Sequence, residues 1–162
     1  MTAQTTVNPN RELAELAFSE VLNGHDLERI PDYYAADCQY HGMIGPEAID
    51  SDEYGSFLSM YFDAFPDLSF DIDEIVTEAD VAAVRWTARG THEGSLMDIP
   101  ATGEAVTVTG MSFLHIEDGE ISRVHSNQDM LGLLRQLDAI PDSPRKIVRL
   151  LAGQMKRRLT RR

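Results

Sequence analysis

The chain has 162 residues, 43% of them hydrophobic, a length that suits one domain with one core. Residues 1–144 hold six basic and 27 acidic residues, a net charge of −21, whereas residues 145–162 hold eight basic residues and no acidic one. An acidic body repels phosphates, which argues against nucleic acid as a partner, and no run nears the roughly 18 apolar residues that a membrane span needs.

The acidity comes from fifteen aspartates set against only two lysines, Lys146 and Lys156, a surface suited to high salt, where screening removes self-repulsion; an ordinary acidic protein is the alternative. The polar first residues, Met1-Thr2-Ala3-Gln4-Thr5-Thr6, lack the basic and apolar regions of a signal peptide. The single Cys38 cannot form an internal disulfide and reads as a small buried hydrophobe. Both features point to a cytoplasmic protein.

Residues 1–9 are polar and expected to be disordered. From Asn10, read as an N-cap, Leu13, Leu16, Ala17 and Val21 follow helical spacing until Asn23-Gly24. Asp26 caps a second, short helix through Tyr34, which Pro31 is expected to break or kink. Residues 37–41 read as a strand, and Gly45-Pro46 restarts the chain as a helix, with a further start signal at Ser51-Asp52-Glu53. Phe57, Leu58, Tyr61, Phe62 and Phe65 form a wide apolar stripe that Pro66 stops.

Beyond Pro66 the period becomes alternating. Phe70 to Val76, Val81 to Thr91, Val106 to Ile116 and Ile121 to Gln128 read as strands, the last pair joined at Asp118-Gly119, and Leu131 to Leu137 as a short helix. Helices followed by a mostly antiparallel meander argue for an α+β fold, a bent sheet whose helices cover an internal pocket. No His-x-His pair, His-Glu-x-x-His motif or cysteine cluster offers metal-ligand spacing, and no nucleophile elbow or Gly-rich phosphate loop occurs, so neither metal nor cofactor is expected.

Several segments occur in a telling order. They are Asn23-Gly24-His25-Asp26-Leu27, Tyr34-Ala35-Ala36-Asp37 with His41, and Phe65-Pro66-Asp67-Leu68. Arg85 to Gly94, Ile99-Pro100-Ala101-Thr102-Gly103, Ile116 to Ile121 and Asp129 to Leu137 follow. Together, over residues 10–139, they resemble the SnoaL-like polyketide cyclases of the NTF2-like superfamily. His125 stands where that family often has Trp, and the basic segment after Asp138 lies outside its pattern. The resemblance implies a cone-shaped barrel with an internal pocket and cofactor-free ring closure by intramolecular aldol condensation. It also implies that Asp129 is the catalytic acid/base and His115 its pocket partner. The scaffold hosts many activities, so fold alone does not fix the reaction.

Aldol closure needs a base for a proton beside a carbonyl and a donor for the enolate oxygen. Asp129, between a strand and an apolar helix, suits the first role, His115 the second; the alternative for Asp129 is N-cap of the helix beginning at Met130. A two-residue turn at Asp118-Gly119 would put His115 and Asp129 on opposite faces. A left-handed bulge at Gly119 would instead place His115 with Arg123, His125, Asn127 and Asp129, as the catalytic reading requires. His41, His92, Trp86, His125, Asn127, Phe113, Met111, Phe57 and Tyr61 are the expected substrate-binding residues.

The leading expectation is therefore an enzyme acting on a small apolar carbonyl compound, with a non-catalytic ligand-binding or dimerisation module as the alternative. A homodimer is expected across the outer face of the sheet, assigned to Val106, Val108 and Leu114, opposite His115. Ser143-Pro144 reads as a helix start, followed by Ile147, Val148, Leu151, Met155 and Leu159 at helical spacing among basic residues. This segment, residues 140–162, is expected to dock on the acidic body rather than on an anionic membrane or a nucleic acid.

Overall fold

Asn8, two residues before the expected cap, starts the first helix: its side-chain oxygen accepts the backbone N–H groups of Asn10 and Arg11, and Pro9 fills the first turn. The computed structural model describes residues 8–42 and 45–140; of the segment 1–9 expected to be disordered, Asn8 and Pro9 open this helix, and residues 1–7, like the C-terminal segment from residue 141 onward, lie outside the described residues. Helix α1 (Pro9–Leu16) runs into a π-helical stretch, Ala17–Leu22, burying Ala14, Ala17, Phe18, Val21 and Leu22. Asp26 caps a 3-10 turn, Leu27–Arg29, which leads into α2 (Ile30–Tyr33). Pro31 sits in the first turn of α2, where its missing N–H is not needed, so it begins this helix instead of breaking it.

No helix forms at Gly45-Pro46. Ile49 instead pairs as an isolated bridge with Tyr40, which keeps the backbone there extended. Helix α3 (Ser51–Ala64) then starts at a capping box, Asp50 accepting from the Glu53 N–H and Glu53 from the Asp50 N–H.

The strands are β1 (Tyr34–His41), β2 (Ser69–Glu78), β3 (Val81–Thr91), β4 (Ala105–Glu117) and β5 (Glu120–Gln128), followed by α4 (Met130–Gln136). They form one sheet in the order β1-β5-β4-β3-β2, antiparallel except for the β1–β5 pair. The α+β layout of helices against a mostly antiparallel sheet is thus observed.

Asp118 and Gly119 both have positive φ and join Glu117 to Glu120 as a two-residue turn. The register shift arises later, at a bulge that leaves Ser122 unpaired: Ile116 faces Ile121, but His115 faces Arg123. His115, Arg123, His125 and Asn127 consequently do share a face, through a bulge at Ser122 rather than at Gly119.

The helices cover the other face. Val106, Ser112, Leu114 and Ile116 of β4 are buried with Val84 and Trp86 of β3 and Val124 of β5, whereas Met111 and Phe113 are 56% and 51% exposed. Val106, Val108 and Leu114 therefore belong to the inner face, which corrects their assignment to an outer dimer surface. Among the described residues no helix is long and apolar enough to cross a membrane.

Candidate active site

Gly110 gives Trp86 its place. A Cβ at residue 110 would lie 2.2 Å from Cζ2 of the indole, so the ring can rest across β4 only because the facing residue has no side chain. The indole Nε1–H donates to Ser112 Oγ at 3.0 Å, and Ser112 Oγ lies 2.9 Å from Ser126 Oγ, which satisfies these buried polar groups.

Around this indole lie two small adjoining cavities. One, of about 60 Å³, runs from Tyr34, Tyr54 and Phe57 to Ser112, Ser126 and Gln128; the other, of about 40 Å³, lies among Tyr61, Phe65, Val108 and Leu133. Both are bounded by Phe70, Trp86 and Gln128. Each has room for one or two waters, so a larger ligand has to displace their walls. The Tyr61 hydroxyl is buried and finds no hydrogen-bond partner among the described residues. Burial pushes its pKa up to about 12, the Gln128 amide acting weakly the other way, so it is a protonated donor at neutral pH.

Asp129 follows Gln128 and caps α4: its Oδ1 accepts the Gly132 N–H at 2.8 Å, and its own N–H donates to Thr109 O. A Cβ at residue 132 would lie 2.1 Å from Asp129 Oδ2, so Gly132 makes room for the carboxylate. Oδ2 makes no hydrogen bond to a described residue. The carboxylate is exposed and lines neither cavity, and its geometry is that of the capping alternative.

Of the residues expected to bind substrate, Trp86, Phe57 and Tyr61 line the cavities. His115, His125, Asn127, Met111 and Phe113 face the opposite side of the sheet, because β4 and β5 alternate and their even-numbered neighbours hold the core. Their expected place in the pocket is corrected accordingly. His41 joins them there: its ring stacks on His125 at 4.3 Å, and His115 meets His125 edge-on at 5.7 Å. Burial depresses the pKa of both His115 and His125. Arg123 adds to the effect at His115, where Glu117 opposes it, and His41, His115 and Arg123 add to it at His125.

His92 is fully buried but lies outside both cavities, its ring 5.1 Å from that of Phe65 and its Nδ1 accepting the Thr102 N–H at 3.3 Å. Burial lowers its pKa. Cys38 is buried too, and burial pushes its thiol up to about 11, which leaves it protonated and inert as a nucleophile. No group of three His, Cys, Asp or Glu side chains among the described residues could hold a metal ion.

Sequence reading missed Gln128, Ser112, Ser126, Tyr34, Tyr54 and Phe70. A signal was available: the apolar positions 106, 108, 114 and 116 mark the covered face of β4, which assigns Gly110 and Ser112 to the pocket side.

Residues 12–137 match the family described as SnoaL-like polyketide cyclase. A comparison with curated proteins finds no match. Among solved structures, AclR from Streptomyces galilaeus, provisionally a hydroxylase, is 25% identical with a TM-score of 0.76, covering 94% of each chain. IdmH from Streptomyces antibioticus, provisionally a polyketide cyclase, is 25% identical with a TM-score of 0.72, over 81% of this chain and 99% of that one. A SnoaL-like protein from Jannaschia sp. CCS1 is 19% identical with a TM-score of 0.75, over 82% and 94% of the two chains, and supports the fold alone. The expected NTF2-like architecture is thereby borne out.

Proposed function

Because the chain belongs to the SnoaL-like polyketide cyclase family, we propose that it performs cofactor-independent acid–base chemistry on a small, apolar carbonyl compound held against the inner face of the sheet. What supports this reading is the family match over residues 12–137, together with the place of Asp129, one residue after the cavity-lining Gln128, where the Gly132 N–H holds one carboxylate oxygen and leaves the other without a hydrogen bond to a described residue. Asp129 takes a proton from the carbon beside the carbonyl and later returns it. The enolate oxygen formed meanwhile accepts a hydrogen bond from a pocket donor, for which the unpartnered Tyr61 hydroxyl is the best placed. His115, on the far side of the sheet from Tyr61, has no part in this scheme.

A non-catalytic ligand-binding or dimerisation module is the competing reading, favoured by the fact that capping α4 is by itself a sufficient role for Asp129. Asp129→Asn separates the two, because Asn caps a helix as well as Asp does but is no base. The assay is deuterium uptake at the α-carbon of 2-tetralone in D2O, followed by NMR. Loss of exchange by about a hundred-fold or more, with an unchanged melting temperature, is expected for the catalytic role. Equal exchange rates in the two proteins would leave only the cap.

The outer face supports a homodimer. Met111 and Phe113 are exposed there beside the stacked rings of His41 and His125, and the acids of β2 on this side, Asp71 and Asp73, already pair with Arg89 and Arg85. Two acidic bodies meet there with little repulsion. A cytoplasmic site of action fits the lone buried thiol of Cys38.

A further inference from the structure

A second concavity lies away from the sheet. It is an open groove of about 860 Å³ between the Leu27–Pro31 segment and the exposed side of α3. Leu27, Ile30, Pro31 and Met60 give it an apolar floor, and Ser51, Gly55 and Ser59, four residues apart on α3, let another helix come close. Asp52 and Asp63 mark its two ends. Neither has a salt-bridge partner among the described residues, and Asp63 lies in the last turn of α3, which holds no basic residue. A carboxylate there adds to the partial negative charge of the helix C-terminus, so this end of the groove calls for a cation.

We propose that the groove between α2 and α3 seats the chain's own basic C-terminal segment, residues 143–162. Ile147, Leu151, Met155 and Leu159 recur every fourth residue and supply one apolar seam for the floor. Lys146 and Arg157, flanking that seam, are eleven residues apart, as are Asp52 and Asp63. On helices both pairs fall on one face at about 16 Å, so the two cations match the two carboxylates. The connection is short. Leu133 of α4 shares a cavity with Tyr61 of α3 and with Phe65, the C-cap of that helix, so the chain leaves α4 near the end of α3 that carries Asp63. The residues between Ile140 and Arg145 reach up to about 17 Å. Eight positive charges settling on a body of −21 complete the match.

The composition provides a test. Lys146 and Lys156 are the only lysines, so zero-length carbodiimide coupling of lysine to carboxylate in the full-length protein reports where the segment lies. The expected products, mapped by mass spectrometry, are links within one chain from Lys146 to Asp63 and from Lys156, the neighbour of Arg157, to Asp52, lost in high salt. Gly55→Leu provides the control. No atom lies within 4 Å of a Cβ at that position, and Leu favours helix over Gly, so α3 is retained while the groove is filled. The links to Asp52 and Asp63 should then disappear with the circular dichroism unchanged. Links concentrated on acids of the outer sheet face, such as Asp71 and Asp73, would overturn the proposal, as would links between chains. Persistence of the Asp52 and Asp63 links in Gly55→Leu would do so too. Tight binding to phosphatidylglycerol vesicles with no links within the chain would assign the segment to a membrane surface instead.

Discussion

On the inner face of β4, Gly110, Ser112 and Leu114 are buried around one indole, while on the outer face their neighbours Met111, Phe113 and the half-buried His115 stand beside the exposed His125. The same strands thus present a tightly packed aromatic pocket on one side and an open, adaptable surface on the other. The difference lies in what each face must satisfy. The inner one must match fixed neighbours from α1, α3 and α4 at interior packing density, so a single atom matters there. The outer one has no such constraint within the chain, and its residues are free to serve a partner or solvent.

Gly110→Ala should produce the largest difference between the faces. Its Cβ would fall 2.2 Å from an indole already tied to Ser112, so the ring must leave both its site and its hydrogen bond. A destabilisation of about 1–3 kcal/mol is expected in urea unfolding. Wild-type stability in this variant would show that the pocket wall is soft. On the outer face, Phe113→Ser should alter the unfolding free energy of the monomer by no more than about 0.5 kcal/mol, yet weaken self-association in sedimentation equilibrium. An unchanged association constant would remove this face from the dimer.

The smallest expected effect is a pH dependence from the histidines. In the folded chain His92, His115 and His125 are all depressed below the ordinary 6.5, chiefly by burial, so the unfolded chain binds their protons more readily. Their contribution to stability is whole above about pH 6.5 and is lost as pH falls through the folded values. His125→Gln should flatten part of that decline in melting curves recorded between pH 7 and pH 5. A decline that keeps its full slope would assign it to other groups.

The alternating pattern made much of this fold legible in the residues themselves. Strand identities, the long α3 stripe and the shared face of Arg123, His125 and Asn127 all follow from local spacing. Which face the helices cover does not, because alternation defines two sets of residues without saying which is inside. Met111, Phe113, His115, His125 and Asn127, expected in the pocket, therefore lie at the odd-numbered positions of the uncovered face, whereas Val106, Leu114 and Ile116 carry the core on the even ones. The register shift at Ser122 was similarly hidden, since an unpaired residue within a strand leaves no mark as strong as a glycine in a turn. Pro31 shows the same limit on a smaller scale. A proline both starts and stops helices, and the fresh start at Arg29 that puts Pro31 in a first turn is marked by no capping side chain.

The pocket itself is open to direct measurement, because Trp86 is the sole tryptophan and its indole borders both cavities. In nitrogen–proton NMR spectra it gives one indole resonance, which can be followed while 2-tetralone is added. A small carbonyl ligand bound on the inner face should shift that resonance together with the backbone amides of Tyr61 and Gln128, and leave those of Met111, Phe113 and His125 in place. A static indole resonance, with shifts confined to the outer face or to the groove along α3, would contradict a ligand site beneath Trp86.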